Sequence, residues 1–402
     1  MAGSDGTLTL LTGRVVTPSA VVDEGAVVLD GDRIAWVGRR ADLAGAPAPV
    51  AAAAAPDGWA SGLTLLPGLV DVHCHGGAGG EFGADLAGSR DAAAHHLRHG
   101  TTSLVGSLVS APAATLVAGV TTCAGLVREG ALAGIHLEGP FLSVARCGAQ
   151  DATALCDPDP RLVEALADAA DGCWAQMTFA PERDGADRLV TQLSELGVLA
   201  SVGHTDADAR TAREALARVA AVAPRGGRPL VTHVFNGMPP MHHRSPGPVA
   251  AALGAAARGE AVLEVVGDGV HLDGETVRML FEVVGAANLA LITDAMAASG
   301  MPEGVYSLGG REVVVDGRTA RLADGGAIAG GVATAVEVVR WCVQEAGVSL
   351  VDAVAAASRT PALAMGWPDR GALETGLRAD VLVVDQAFDP VRVMRSGSWV
   401  PG

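Results

Sequence analysis

Positively charged residues are scarce in this chain of 402 residues: 28 Lys plus Arg stand against 45 Asp plus Glu, a formal net charge of −17. An acidic surface disfavours non-specific binding to nucleic acids and to anionic membranes, because both require a basic surface. We therefore expect neither nucleic acid nor membrane as a partner. An anionic substrate would need a locally basic pocket.

Signals for secretion, membrane insertion and disulfide cross-linking are also missing. Residues 1–13 contain no basic segment followed by an apolar one, so no signal peptide is predicted. The longest uncharged run, Gly100–Val127, contains Pro112 and many small polar residues. This pattern indicates a buried strand, a turn and a helix rather than a membrane span. The six cysteines form no Cys-x-x-Cys pair, so reduced thiols and a cytoplasmic location are expected.

Eight short apolar segments, separated by Ala-rich segments of helical periodicity, occupy the middle of the chain. Strands that are buried on both faces have such continuous apolar runs, and eight βα units predict an α/β fold, a (β/α)8 TIM-type barrel. The predicted strands are Leu65–His75, Thr102–Val109, Ala133–Glu138, Ala175–Pro181, Val198–His204, Leu230–Asn236, Val262–Asp268 and Leu289–Asp294.

Short strands are also predicted at both ends of the chain. We expect a small β domain built from residues 1–62 and 368–402, and a barrel over residues 63–367. The terminal strands are Thr7–Thr17, Ala26–Leu29, Arg33–Gly38 and Ala379–Asp385. A hairpin is predicted at Arg311–Leu322, and helices at Val332–Ala346 and Leu350–Met365.

Residues suited to metal binding lie at the C-terminal ends of the predicted barrel strands, where the catalytic groups of such barrels are found. A lone histidine at a strand end is more often an ordinary polar group, but six such residues at one end of one barrel predict a metal site. The i, i+2 spacing of His73 and His75 places both imidazoles on one side of their strand, and Cys74 on the other side as a core residue. The six residues are His73, His75, Glu138, His204, His233 and Asp294.

Imidazole and carboxylate ligands without thiolate favour Zn²⁺, Fe²⁺, Co²⁺ or Mn²⁺, with Zn²⁺ the default for hydrolysis. Asp294 is suited to accept a proton from a metal-activated water and to deliver it to a leaving group; a further metal ligand or a helix cap is the alternative. His271, beyond the seventh strand, can polarise a substrate carbonyl or is an ordinary loop histidine.

A second polar cluster follows the sixth strand. Arg244 offers a planar fork for phosphate or carboxylate, and Asn236 with the Gly237 amide can supply further donors. The alternative is that Arg244 is a surface or interface residue and that His242 and His243 belong to a solvated loop.

The motifs resemble, in order along the chain, those of N-acetylglucosamine-6-phosphate deacetylases, members of the amidohydrolase superfamily. The resemblance covers residues 7–385. It is carried by PGLVDVHCHGG at 67–77, HLEGPF at 136–141, GHTDA at 203–207, THVFNGMPP at 232–240, DGVH at 268–271 and TDA at 293–295.

The resemblance implies metal-dependent hydrolysis of N-acetylglucosamine 6-phosphate to glucosamine 6-phosphate and acetate, in amino-sugar catabolism and cell-wall recycling. It implies one or two metal ions, held first by Glu138, His204 and His233 and second by His73 and His75. Asp294 matches the catalytic acid/base, and His271 matches a histidine that polarises the amide carbonyl.

Further residues match positions that bind the sugar phosphate. The family arginine can come from the neighbouring subunit of a homodimer, so a homodimer is expected. One departure concerns Gln150, which stands where a substrate-binding histidine is usual and leaves that contact as a neutral hydrogen bond or lost. Nearby, Cys147 lines the mouth of the site or is an exposed loop thiol. The substrate-binding matches are Ala149, Gln150, Asn236, Gly237, Arg244, His271, Ile328, Ala329 and Gly330.

Two alternatives remain open from the sequence. One is an amidohydrolase that acts on another N-acyl compound or on a cyclic amide; against it, many such enzymes have a lysine where Glu138 stands. The other is a non-catalytic scaffold that kept the barrel, which predicts missing ligands, whereas all six positions are filled.

Overall fold

The computed structural model describes residues 8–55, 59 and 61–401. Thr7 of the predicted first strand, and residues 1–6, 56–58, 60 and 402 of the predicted terminal domain, lie outside the described residues. The chain begins with an antiparallel meander in which Gly31, at φ +54°, forms the turn between the second and third strands. These first elements are β1 (Thr9–Val16), β2 (Val21–Asp30), β3 (Arg33–Arg39), the short helix α1 (Ala48–Ala51) and β4 (Thr64–Pro67).

An eight-stranded parallel barrel follows, which confirms the predicted fold class. Its strands come in sequence order, each paired with the next. They are β5 (Leu69–Cys74), β8 (Thr101–Val109), β9 (Gly134–Glu138), β10 (Trp174–Phe179), β11 (Leu199–Val202), β12 (Leu230–Val231), β13 (Val262–Val265) and β14 (Leu289–Leu291). Two short strands, β6 (Gly76–Gly77) and β7 (Gly80–Glu81), pair after β5.

Seven helices connect the barrel strands on the outside. Several begin at an aspartate whose side chain accepts a hydrogen bond from a first-turn amide, such as Asp159 and Asp273, and this satisfies an amide that has no partner within the helix. The helices are α2 (Leu86–Arg98), α3 (Ala113–Arg128), α4 (Pro160–Ala170), α5 (Ala186–Glu195), α6 (Ala209–Val222), α7 (Gly247–Ala257) and α8 (Gly274–Val284).

Backbone hydrogen bonds between the first and last strand regions close the barrel. Asp294 N donates to His73 O at 3.0 Å, and His75 N donates to Ala295 O at 2.7 Å. The buried Asp71 carboxylate reinforces this closure by accepting from Thr293 Oγ1 at 2.5 Å. Residues that carry chemistry at the ends of β5 and β14 are therefore fixed side by side.

The chain then forms a three-stranded antiparallel sheet and three helices before it returns to the terminal sheet. The predicted hairpin is present with a strand added before it, and the predicted helix at 350–365 is two helices that are separated at Ala357 and Ser358. These elements are β15 (Gly304–Leu308), β16 (Arg311–Asp316), β17 (Thr319–Leu322), α9 (Ala335–Gln344), α10 (Leu350–Ala356), α11 (Arg359–Ala364), β18 (Val381–Val384), β19 (Pro390–Arg395) and β20 (Ser398–Trp399).

Strands from both ends of the chain form one seven-stranded sheet in the order β20-β19-β18-β4-β1-β2-β3. Strands β4 and β18, which are neighbours near the middle of this sheet, are buried on both faces. Leu65 and Val383 pack in the core of the terminal sheet, whereas Leu66 and Leu382 pack in the larger core around the barrel. Alternate side chains of β4 and β18 thus attach the terminal sheet to the barrel.

The predicted first run, Leu65–His75, is therefore two strands in two sheets. Gly68 separates β4 from β5, and a Cβ at this position would lie 2.8 Å from Asp380 Cβ. Within the barrel, apolar residues of the strands pack with Ala362 and Met365 from α11 and the residue after it. This apolar packing fills the N-terminal end of the barrel, so that polar side chains are left to the opposite end.

No helix in the described part of the chain is both long and apolar enough to span a membrane. The uncharged run Gly100–Val127 contains β8 and most of α3, as expected. All six cysteines are free, and three of them, including Cys74, are buried.

Candidate active site

The six predicted ligand residues meet at the C-terminal end of the barrel, and all six are buried. Three of them have a left-handed backbone: φ is +44° at His204, +27° at His233 and +48° at Asp294. Non-glycine residues rarely adopt this conformation, and strain of this kind concentrates at functional sites. In each case the turn directly after a short strand directs the side chain towards the barrel axis.

Glu138, His204 and His233 form one group of ligand atoms that can hold a metal ion. Glu138 Oε1 lies 3.0 Å from His204 Nε2 and 2.9 Å from His233 Nε2. Gly237 packs against this group: its φ is +60°, and a Cβ there would lie 2.9 Å from His204 Nδ1. Glycine at this position therefore allows the following loop to approach the imidazole.

His73, His75 and Asp294 form a second group of the same kind. Asp294 Oδ1 lies 3.3 Å from His75 Nε2 and 3.5 Å from His73 Nε2. The two groups are joined by Glu138, whose second oxygen, Oε2, lies 3.2 Å from His75 Nε2. One carboxylate therefore faces both groups.

In three of the four imidazoles, a contact at Nδ1 leaves the Nε2 lone pair for the centre of the site. Nδ1 faces an oxygen acceptor in three of them: Arg146 O for His204 at 2.7 Å, Glu264 Oε2 for His73 at 3.0 Å and Ser107 O for His75 at 3.2 Å. A neutral histidine that donates from Nδ1 presents an unprotonated Nε2.

These Nε2 lone pairs face carboxylate oxygens, which are also acceptors. An assembly of acceptors alone is stable only around positive charge, and the oxygen contacts at Nδ1 are those that usually orient metal-binding histidines. The donor set therefore fits a divalent metal ion.

Without a bound ion, the carboxylates and imidazoles of the site stabilise one another's charged forms. Burial lowers the pKa of His75, but the Asp294 and Glu138 carboxylates outweigh it and raise that pKa to about 9. Burial raises the pKa of Asp294, but His75, His73 and His233 outweigh it and hold that pKa well below its usual value. Asp294 is therefore ionised at neutral pH.

His271 lies at the wall of the site with a carboxylate partner of its own. Its Nδ1 lies 2.9 Å from Asp268 Oδ2, and its Nε2 lies 3.7 Å from Asp294 Oδ2. Burial lowers the pKa of His271, but the hydrogen bond and charge of Asp268 raise it above the usual value. The imidazolium is thereby favoured, with one N–H directed into the cavity.

The residues of both ligand groups except His73, together with His271, line a cavity of roughly 340 Å³. A volume of this size accommodates a small ligand. Most of the predicted substrate-binding residues line it, namely Ala149, Gln150, Asn236, Gly237, His271, Ile328 and Gly330. Asn236 also stabilises its own loop, because its Nδ2 donates to His233 O at 3.2 Å.

Two predicted substrate-binding residues do not line the cavity of this chain. Ala329 is buried in the apolar cluster beneath the β15–β17 sheet. Arg244 is exposed in a turn, where Nη1 lies 2.7 Å from His243 Nε2. Cys147, in the loop after β9, is partly exposed and is also absent from the lining.

Several residues that support the site were missed by the sequence reasoning. Glu264 is fully buried; besides facing His73 it accepts from Gln176 Nε2 at 2.6 Å. His136 is equally buried, and its ring nitrogens lie 2.9 Å from Ser107 Oγ and 2.8 Å from Thr178 Oγ1. A charged residue within the apolar run Val262–Val265 was the available signal for Glu264. Asp268 belongs to the DGVH motif at 268–271, but its pairing with His271 depends on the geometry of the loop.

Comparison with known proteins agrees with this geometry. Residues 64–400 match the model of the amidohydrolase family. N-acetylglucosamine-6-phosphate deacetylase from Bacillus subtilis (strain 168) is 32% identical over 343 residues, which are 83% of this chain and 84% of the relative. N-acetylgalactosamine-6-phosphate deacetylase from Escherichia coli O157:H7 is 30% identical over 84% of this chain and 86% of the relative.

A solved structure gives the same result in three dimensions. The crystal structure of N-acetyl-D-glucosamine-6-phosphate deacetylase from Mycobacterium smegmatis superimposes with a TM-score of 0.88 at 39% identity, covering 98% of this chain and 100% of the other. The barrel, its ligand groups and the sequence matches lead to one conclusion: the chain belongs to the amidohydrolase family.

Proposed function

We propose that this protein hydrolyses the N-acetyl group of N-acetylglucosamine 6-phosphate, releasing glucosamine 6-phosphate and acetate in amino-sugar catabolism. The observation that carries the proposal is the pair of ligand groups joined by Glu138 on the floor of the cavity, with Asp294 and His271 facing the same space. The names of the relatives support the substrate.

The metal is proposed to be zinc, because imidazole and carboxylate donors without thiolate suit it in hydrolytic sites. Glu138, His204 and His233 would hold the first ion, and His73 and His75 would hold a second with Asp294 beside them. When bound, the ion supplies Lewis acidity, which makes water a nucleophile at neutral pH.

Asp294 and His271 would carry the proton transfers and the polarisation. The ionised Asp294 accepts a proton as water attacks the amide carbonyl, and delivers it to the nitrogen as the C–N bond breaks. The His271 imidazolium, held by Asp268, donates a hydrogen bond to the carbonyl oxygen, where negative charge develops. Water and amide give one acetate and one protonated amine, so atoms and charge balance.

The phosphate is proposed to be bound by Arg244 from a second copy of the chain. In its own chain Arg244 is exposed and does not line the cavity, and Met241, three residues earlier in the same loop, is 55% exposed. A loop that exposes both an arginine and a large apolar residue is suited to an interface, so the proposed unit is a homodimer.

The first test is acetate release from N-acetylglucosamine 6-phosphate by the purified protein before and after chelation. Release should stop on removal of the metal and return when Zn²⁺ is added. N-acetylglucosamine without the phosphate serves as the control substrate and should react poorly. Release that persists in the metal-free protein would contradict the proposal.

The second test is Asp294→Asn, which keeps the size of the side chain but removes the base. Turnover should fall by about two to four orders of magnitude, the usual contribution of general acid–base catalysis. Metal content, measured by elemental analysis, should stay close to that of the wild type. Unchanged turnover would refute the role of Asp294.

The second candidate substrate is the epimer N-acetylgalactosamine 6-phosphate, favoured by the relative from Escherichia coli O157:H7. Chemistry and metal site would be identical, so chelation does not separate the two. A comparison of kcat/KM for both sugar phosphates does.

A further inference from the structure

Gln150 has a more specific environment than a residue that only lines a cavity. The residue is only 5% exposed. The amide nitrogen Nε2 donates to Glu138 Oε2 at 2.5 Å, and the amide oxygen accepts from Ser110 N at 2.7 Å. Because Ser110 N is a donor, it must face the oxygen of the amide. The nitrogen is therefore directed at the Glu138 carboxylate.

The contact is built from three segments that are separated in sequence. Ser110 follows β8, Glu138 ends β9, and Gln150 belongs to the loop beyond β9, where its backbone N donates to Cys147 O at 2.9 Å. Ser110 also fixes the main chain of Glu138, since its Oγ donates to Glu138 O at 3.0 Å. Ser110 thus holds the backbone of Glu138, and Gln150 holds its side chain.

The two carboxylate oxygens of Glu138 therefore have different partners. Oε1 faces His204 and His233, whereas Oε2 receives the Gln150 N–H and lies 3.2 Å from His75 Nε2. Without this donor the carboxylate is less restrained in its rotation about the terminal torsion, which has a broad energy profile. The hydrogen bond keeps Oε1 directed at the first ligand group.

We propose that Gln150 is a positioning residue for metal binding, which holds the Glu138 carboxylate in the orientation that the first ion requires. This inference rests on the proposed metal site. It assigns to Gln150 a role other than the substrate contact expected from the sequence.

The test is Gln150→Met, which removes the N–H donor and nearly preserves length and volume. The affinity of metal-free protein for Zn²⁺ should be measured without substrate, by competition with a chromophoric chelator. Partners behind metal ligands are typically worth about 10- to 100-fold in metal affinity, and a loss of that size is expected at the tightest site. Gln192→Met is the matched control, because Gln192 lies in α5 and donates to Pro160 O, away from the site.

The overturning result is a folded Gln150→Met protein that binds Zn²⁺ as tightly as wild type and changes only in KM, since that is the signature of a substrate contact. Should this variant not fold, Gln150→Ala removes the same donor without filling the space, and the same two outcomes decide. Failure of the proposed function has a different signature: wild-type protein that binds metal but releases no acetate.

Discussion

Asp268 contacts His271 twice: Oδ2 lies 2.9 Å from the imidazole Nδ1, and Oδ1 accepts from the His271 backbone N at 2.9 Å. Asp268 raises the pKa of His271, and the protonated form therefore persists to higher pH. Activity that needs the imidazolium is present below that pKa and is lost as pH rises through it. With His271 in its proposed role, this dependence would give the basic limb of the pH profile a structural origin.

Asp268→Asn should move the basic limb of the kcat/KM profile to lower pH and reduce kcat by about 10- to 100-fold, as for other partners that orient a functional histidine. The measurement is kcat/KM for the sugar phosphate from pH 6 to 10. Asp273→Asn, at the N-terminus of α8, is the control, since Asp273 caps that helix and should leave the profile unchanged. A basic limb that does not move would show that Asp268 does not set the protonation of His271.

Among single residues, those that carry the chemistry were predictable where their spacing alone decides the orientation of the side chain. His73 lies near the end of β5 and His75 directly follows that strand, and their spacing of two residues in extended chain places both on one side. Glu264 was not recognised, because one charged residue in an apolar run gives no information about its partner. The left-handed turns at His204, His233 and Asp294 are likewise a product of tertiary packing, since none of these residue types requires such a conformation.

Among the elements, β4 and β5 illustrate how two strands can look like one. The run from Leu65 to His75 is apolar because β4 is buried on both faces, as barrel strands are. Periodicity cannot distinguish a central strand of the terminal sheet from a barrel strand. The information lay in Gly68, the only residue between the two strands, but a single glycine is an ambiguous signal.

Gly68→Ala should destabilise the protein, because the added Cβ would lie 2.7 Å from Thr102 Cγ2 and 2.8 Å from Asp380 Cβ. Overpacking of this kind costs about 1–3 kcal/mol in the free energy of unfolding. Denaturant titration measures the loss. Gly125→Ala is the matched control: Gly125 lies in α3 with nothing within 4 Å of its Cβ position, so stability should be unchanged or slightly higher. Equal effects of the two substitutions would contradict this account of the junction.

For the whole molecule, the acidic charge and the proposed anionic substrate make the position of Arg244 the central question. The sequence identified the residue but not the chain in which it acts. Oligomeric assembly depends on surfaces that meet only in the complex. The sequence of one chain does not show which of its surfaces pair. The chain contains no lysine, so amine-directed cross-linking is unsuited to test assembly, and sedimentation is the better method.

Mixed dimers decide the question. If Arg244 acts in the neighbouring site, co-expression of Asp294→Asn chains with Arg244→Ala chains should restore about a quarter of wild-type activity. Half of the dimers are then mixed, and one of the two sites in each contains both intact residues. Each variant alone should be nearly inactive, which is the control. Absence of recovery in verified mixed dimers would place Arg244 in its own site.

The central position of β18 also constrains synthesis of the protein. Strand β4 pairs with β1 on one side and with β18 on the other. Because β18 follows the barrel in sequence, it leaves the ribosome only after the entire barrel sequence. Until then β4 presents an open edge, the kind of surface to which another chain can add. The nascent chain is therefore exposed to aggregation at this edge from the emergence of β4 until β18 follows, which is most of the time that translation takes.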